Sequence, residues 1–382
     1  MKGSAGRLAY PAFIVLATID ASGYGLIAPI VPAISEATSS GPGVTGLLVA
    51  TFAVGMSIGL ALGGLAIHRH GAAPLLVVSI VLVAIGAVAF VTIESLGLYF
   101  AGRFLMGLGS GGLWLGIAIG VIERWPGDEF RRLSGIMAMY SVGGIAGPAL
   151  GAIGGIRAPF LAYLGVVAVG VLALLTIGPP QVQAAEFRSD RRVLRAPGFV
   201  LASAGTLMVA LVIGSFDGTL PLHFDSLLSQ AEIGALYVMA SLILAFWAFT
   251  ASRFPVRPTL YSATALIVIG LALAGAGEQV WVWIVALVLA ATGFGLAETS
   301  SVGILLETVG TRRIVLAMSV WSQVFALGYL VGPALGGAVA ETLGFEGLGL
   351  VPLAFALLVV VGALMERRAQ RETEAATIRS RL

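Results

Sequence analysis

Residues 143–151 read GGIAGPALG and residues 328–337 read GYLVGPALGG, so the chain contains the stretch GPALG twice. The two prolines, Pro148 and Pro333, are separated by close to half of the 382-residue chain. Glycines recur at every fourth position in each copy, which places them on one face of a helix. The repetition predicts two similar halves, with a small-residue face formed by Gly143, Gly147 and Gly151 in the first copy and by Gly328, Gly332 and Gly336 in the second.

The composition indicates a membrane protein. Hydrophobic residues make up 58% of the chain and charged residues only 10%, whereas soluble domains carry about 25% charged residues. The absence of cysteine excludes disulfides and thiolate metal sites, and three histidines make a catalytic zinc site unexpected. No phosphate-binding loop follows a strand. We therefore expect no enzyme activity, no cofactor and no bound metal.

A helix needs about 20 apolar residues to cross a bilayer, and the chain contains twelve such stretches. We expect an all-α membrane protein of two pseudo-symmetric six-helix bundles: an N-terminal bundle at 1–178, a linker at 179–197, a C-terminal bundle at 198–365 and a tail at 366–382. The first stretch lacks a clear cleavage site and is interpreted as a retained helix. The predicted spans are 8–34, 44–67, 73–93, 97–122, 133–156, 159–178, 198–224, 231–251, 258–276, 280–306, 314–340 and 346–365.

The distribution of basic residues supports this count. Nineteen of the 21 Lys and Arg residues lie in the termini, the linker and alternate loops, whereas the opposite loops hold only Arg157. Positively charged loops usually face the cytoplasm. We therefore predict cytoplasmic termini in the plasma (inner) membrane, a lipid bilayer as the surrounding solvent, a monomer, and no nucleic-acid partner despite the basic charge.

The repeated stretches also suggest a mechanical role. Small residues let membrane helices pack closely, and a proline inside a helix favours a bend. Bent helices with small side chains, at matching positions of the two halves, suit two bundles that rock against each other. Ordinary helix packing is the alternative.

These motifs resemble those of the major facilitator superfamily, and more narrowly of its proton-coupled drug and metabolite antiporters. The first copy is similar to the fifth-helix motif GxxxGPxxG of that branch. Arg103, Gly107 and Gly109 are similar to its fourth-helix motif RxxxGxG. The resemblance covers nearly the whole chain, and it implies a transporter with alternating access.

A third family signature, GxxxDRxGRR after the second span, is only partly present. Gly64, Arg69 and Gly71 match it, whereas His68 stands in the place of the aspartate and two alanines replace the basic pair. By resemblance, Gly64, Arg69, Gly71 and Glu123 would form a cytoplasmic gate. Glu123 can pair with Arg69 or with loop arginines, or it can be solvated.

Four ionisable residues lie inside predicted spans: Asp20, Arg103, Asp217 and Glu298. Each costs about 2.5–3.5 kcal/mol near the centre of a helix, and such residues usually face the bundle interior. We predict that Asp20 and then Glu298 carry protons, that Arg103 tunes them, and that Asp217 contributes near the pore mouth. A structural Asp–Arg pair is the alternative.

Aromatic residues in the spans that line the family's cavity are candidates for substrate binding: Tyr24, Trp114, Tyr140 and Trp321. They can hold an apolar or cationic ligand, or they can pack against lipid and protein. We expect export of a small amphiphilic organic compound in exchange for protons. Uptake of a small nutrient and a non-transporting sensor remain the alternatives.

Overall fold

The computed structural model describes residues 5–125, 128–177, 191–309 and 314–381, and the described part is helical without strands. The predicted linker therefore lies mostly outside the described residues. Its described end contains a short 3₁₀ helix, Arg191–Arg195. The α-helices are α1 Ala5–Gly25, α2 Val31–Thr38, α3 Pro42–His70, α4 Ala72–Thr92, α5 Leu96–Arg124, α6 Glu129–Gly151, α7 Arg157–Leu174, α8 Pro197–Phe224, α9 Gln230–Thr250, α10 Val256–Ala276, α11 Val280–Val309, α12 Ile314–Leu343 and α13 Leu350–Arg381.

Eleven stretches in the described residues are long and apolar enough to cross a membrane. Helices α1 and α2 form one of these, Leu8–Thr38, joined by the 3₁₀ turn Ala28–Ile30. The remaining predicted span, the fifth at 133–156, corresponds to α6, which contains the shorter apolar segment Val142–Gly151. The predicted tail is helical, because α13 continues beyond its apolar part to Arg381.

The first span is interrupted where its sequence carries two prolines. Pro29 and Pro32 are the second residues of the 3₁₀ turn and of α2, and a missing backbone N–H costs little in the first turn of a helix. Leu8–Thr38 thus remains one apolar stretch, although its α-helix is interrupted between Gly25 and Val31.

The glycine faces of the two repeats make the same contact in both halves. A Cβ added at Gly147 would lie 2.6 Å from the backbone oxygen of Ser22 on α1. A Cβ at Gly332 would collide with the backbone oxygen of Leu211 on α8. The prolines repeat the pattern, since Pro148 meets Gly25 and Pro333 meets Gly214. Helix α6 thus packs on α1 as α12 packs on α8, and the predicted pseudo-symmetric fold is confirmed.

The two halves meet at the face opposite the chain termini, which we call the closed face. Helix α3 of the first half packs on α12 of the second, and α9 of the second packs on α6 of the first. Among the described residues, the hydrogen bonds, ring contacts and glycine contacts that join the halves lie between the level of Tyr24 and this face. We call the other side the termini face.

At the termini face, an ion-pair cluster ties three helices of the second half together. Arg257 on α10 donates to both carboxylate oxygens of Glu366 on α13, with its Nη2 2.8 Å from Oε1. Its Nη1 donates to Glu307 on α11 at 2.8 Å. Glu366 is buried, so this bidentate contact fixes α13 where it leaves the apolar part of the bundle.

We expect the Glu366→Ala variant to lose about 1–3 kcal/mol of stability, because a buried arginine–carboxylate contact is removed. Thermal unfolding of the purified protein in detergent measures the change. The control is Glu372→Ala, which removes an exposed pair with Arg368 within α13 and is expected to change stability by less than about 0.5 kcal/mol. Equal unfolding temperatures for both variants would contradict the prediction.

Candidate functional site

Asp20 is buried in the middle of the first half, on α1. The hydroxyl of Tyr140 on α6 donates to its Oδ2 at 2.6 Å, and the side chain of Ser110 on α5 faces the same carboxylate. Trp114, one turn further along α5, packs edge-on against the Tyr140 ring at 5.3 Å between centroids. The structure therefore brings together three residues that the sequence predicts, Asp20, Trp114 and Tyr140, around one carboxylate.

Arg103 is fully buried on α5. Its Nη1 donates to the backbone oxygen of Gly23 at 3.3 Å, and its guanidinium lies 4.6 Å from the centre of the Phe52 ring. Its Nε and Nη2 have no hydrogen-bond partner within the described chain. Among the described residues it forms no ion pair, and the carboxylate that acts on it electrostatically is Asp217. It does not pair with Asp20.

The boundary between the halves is occupied by two tyrosines. Tyr24 of α1 and Tyr329 of α12 have ring centroids 4.6 Å apart, and Tyr24 also packs edge-on against Phe52. The Tyr329 hydroxyl donates to Asp217 Oδ2 at 3.1 Å. Asp217 is therefore a component of the contact between the halves, and Tyr24 links this contact to the Arg103 environment.

Glu298 lies on α11 in the second half, away from the Asp20 cluster. The hydroxyl of Thr206 on α8 donates to its Oε2 at 2.8 Å. Trp321 on α12 is buried in the same half, and its indole N–H has no partner within the described residues. The four predicted ionisable residues thus do not form one cluster: Asp20 and Arg103 lie in the first half without an ion pair, Asp217 lies at the boundary and Glu298 lies in the second half.

The two aspartates occupy non-equivalent positions in the two halves. The glycines of the first repeat contact Ser22 and Leu26, and the matching glycines of the second repeat contact Leu211 and Ser215. The number of residues between Ser22 and Leu211 is the same as that between Leu26 and Ser215, so positions in one half can be matched to positions in the other. Under that matching, Asp20 corresponds to Val209, and Asp217 corresponds to Ala28. The fold is symmetric at this point, but the charges are not.

The predicted gate residues lie near the termini face. Arg69 is exposed near the end of α3, Gly71 has a φ of +79°, and Gly64 has no neighbouring atom within 4 Å of an added Cβ. Burial raises the pKa of Glu123 and the adjacent Arg124 partly offsets this rise. Arg69 and Glu123 form no ion pair in the described structure. The side chain of His68 lies outside the described residues.

Several residues of the site were not predicted from the sequence. Ser110 and Thr206 are neutral hydroxyls in apolar helices, and nothing in a single sequence distinguishes them from packing residues. Tyr329 carried a signal, because it stands where the first repeat has Gly144 when the two GPALG stretches are aligned. A bulky aromatic residue at a repeated glycine position indicates a local role that only one half performs.

Residues 13–248 and 219–381 match the sequence profile of the Major Facilitator Superfamily. The chain belongs to the Major Facilitator Superfamily. It is a multi-pass membrane transporter of this family, as the resemblance in the sequence predicted. Two solved structures share the fold over nearly the whole chain. They are a bacterial homologue of the human lysosomal transporter Spinster in an inward-facing, unoccupied conformation (TM-score 0.73, 16% identity, 97% of this chain and 98% of that one) and a D-xylose–proton symporter (TM-score 0.72, 17% identity, 92% and 97%).

Among characterised superfamily members, the chain is similar to vesicular acetylcholine transporters. The mouse and human proteins are each 27% identical to it over 320 residues, which cover 75% of this chain. The matched region spans only 60% of the length of those relatives. The similarity supports a transporter.

Proposed function

We propose that this chain is a proton-coupled antiporter that exports a small amphiphilic organic cation by alternating access. The observation that carries the proposal is the isolated carboxylate of Asp20, which lies in the membrane interior among neutral hydroxyl groups. The proposal includes cytoplasmic termini in the membrane that surrounds the cell, because the basic residues concentrate on the termini face.

An ionised carboxylate without a counter-charge is unfavourable in a low-dielectric interior. Asp20 accepts a hydrogen bond from Tyr140, but among the described residues it forms no ion pair. It therefore needs either a proton or a cationic substrate, and these two partners exclude each other. Mutual exclusion at one carboxylate is sufficient to couple proton movement in one direction to cation movement in the other.

The surroundings of Asp20 fit an organic cation better than a sugar. Trp114 and Tyr140 present aromatic rings close to the carboxylate, and aromatic faces attract ammonium groups. The similarity to vesicular acetylcholine transporters supports the same ligand class, a positively charged amine. Glu298 and Asp217 are proposed as further proton-carrying groups in the second half and at the boundary.

The available driving force is adequate for this exchange. One elementary charge that crosses 100 mV releases about 2.3 kcal/mol, and one pH unit corresponds to about 1.4 kcal/mol. Exchange of one proton for one monovalent cation moves no net charge, so the pH gradient alone drives it and sustains a substrate gradient of about tenfold per pH unit. Exchange of two protons per cation adds the membrane potential to this driving force. No other energy source is required for the exchange.

Proteoliposomes with an acidic lumen test the proposal, with radiolabelled tetraphenylphosphonium and acetylcholine as probes and protein-free liposomes as the baseline. Antiport predicts uptake driven by internal acid, whichever way the protein is inserted, and its collapse when nigericin dissipates the pH gradient. Uptake that requires external acid would indicate symport. No acid-driven movement of either probe would contradict exchange of an organic cation.

A further inference from the structure

The closed face contains two seams between the halves, and their backbone packing is equivalent. Gly46 of α3 lies against the carbonyl of Pro333, and Gly234 of α9 lies against the carbonyl of Pro148, 3.2 Å from an added Cβ. Each seam glycine thus lies against the repeated proline and the residue four positions after it, which is Gly337 at the first seam and Ala152, the nearest neighbour of Gly234, at the second.

The first residues of the two seam helices break this equivalence. Pro42 begins α3 and Gln230 begins α9, and each lies one helical turn before the seam glycine of its helix. Pro42 offers only its backbone oxygen, which Gly337 approaches closely. Gln230 instead extends its side chain across the seam to the turn that follows α6. At the α3 seam, the side-chain hydrogen bond between the halves among the described residues is a longer one, from the Thr45 hydroxyl to the backbone oxygen of Gly218 at 3.4 Å.

Gln230 makes three hydrogen bonds to that turn. Its Nε2 donates to the backbone oxygens of Gly151 at 2.8 Å and Gly155 at 3.0 Å, and its Oε1 accepts from the N–H of Gly155 at 2.8 Å. Gly154 and Gly155 have φ values of +108° and +64°, a backbone conformation that other residues rarely adopt. The turn thus presents two carbonyl oxygens and one N–H to the side-chain amide of Gln230.

We propose that Gln230 is the releasable lock of the closed face. Opening of this face starts at the α6–α9 seam, where the three hydrogen bonds of one side chain break together. The α3–α12 seam stays packed at that stage because it is held by backbone contact, with Gly337 of α12 and Gly218 of α8 both close to Gly46. The inference concerns the order of opening and is independent of the identity of the substrate.

Spin-label distance measurements test the lock, and the absence of cysteine from the chain makes labelling straightforward. A pair at Ile153 and Leu227, both exposed, reports on the α6–α9 seam. A pair at Ala37 and Leu343, both exposed, reports on the α3–α12 seam. In Gln230→Ala we expect the ratio of long to short distances to rise about tenfold in the first pair, with a clearly smaller change in the second.

Two further variants distinguish loss of the Gln230 hydrogen bonds from a general weakening of α9. Ser229→Ala removes the capping box that Ser229 forms with Glu232 inside α9 but leaves the contact with α6 intact, so we expect the parent distance distribution. Gln230→Pro copies the residue found at the matched position and is compatible with the first turn of a helix; we expect it to behave like Gln230→Ala. An unchanged first pair in both Gln230 variants, an equal change in Ser229→Ala, or equal changes in both pairs would overturn the proposal.

Discussion

The Asp20→Asn variant is expected to lose proton-driven exchange while it remains folded. Asparagine keeps the volume and can still accept the hydrogen bond from Tyr140, but it neither binds a proton nor attracts a cation. The removed interaction is a charge-assisted contact of about 2–3 kcal/mol, so acid-driven uptake into proteoliposomes should fall about a hundredfold. Uptake of labelled tetraphenylphosphonium measures the effect.

The control for this variant is Glu94→Gln, which neutralises an exposed acid that pairs with Arg157 at the closed face. Its exchange rate is expected to stay close to that of the parent protein, because screened surface pairs contribute little. Thermal unfolding of both variants verifies that the protein is intact. If Asp20→Asn retained full coupling, the proton-carrying role would have to pass to Glu298 or Asp217.

The architecture could be predicted from the sequence because the membrane imposes simple rules. Apolar stretches of about 20 residues must be helices in lipid, and the repetition of GPALG at half the chain length indicates two halves. The contact of Gly147 with α1 and of Gly332 with α8 is the physical reason for that repeat. The break between Gly25 and Val31 was not predicted, since prolines at 29 and 32 mark a helix boundary only when their position in the turn is known.

The grouping of the charges could not be predicted in the same way. Asp20 and Asp217 both lie in the first helix of a half, yet Asp217 matches Ala28, about two turns beyond Asp20 in the first span. Arg103 was expected to act on Asp20 and Glu298, whereas its observed contacts are the backbone oxygen of Gly23 and the ring of Phe52. Such partners depend on helix rotation and tilt, which hydrophobicity patterns do not specify.

Substitution of alanine at two nearby glycines of the first repeat should have different effects on the unfolding temperature. At Gly147 an added Cβ would lie 2.6 Å from the oxygen of Ser22 and 2.9 Å from backbone atoms of Gly25 and Leu26. Backbone atoms cannot rotate away, so α6 must separate from α1. We expect Gly147→Ala to cost about 1–3 kcal/mol, measured as a lower unfolding temperature in detergent.

At Gly144 no atom lies within 4 Å of an added Cβ. Alanine is favoured over glycine inside a helix by up to about 1 kcal/mol, so Gly144→Ala should leave the unfolding temperature unchanged or raise it. The second repeat provides an independent test, because the atoms nearest to an added Cβ at Gly332 are backbone atoms of Leu211 on α8. Gly332→Ala should therefore destabilise the protein as Gly147→Ala does. Equal effects at Gly144 and Gly147 would mean that intrinsic helix preference, and not contact between helices, explains why the chain carries this motif twice.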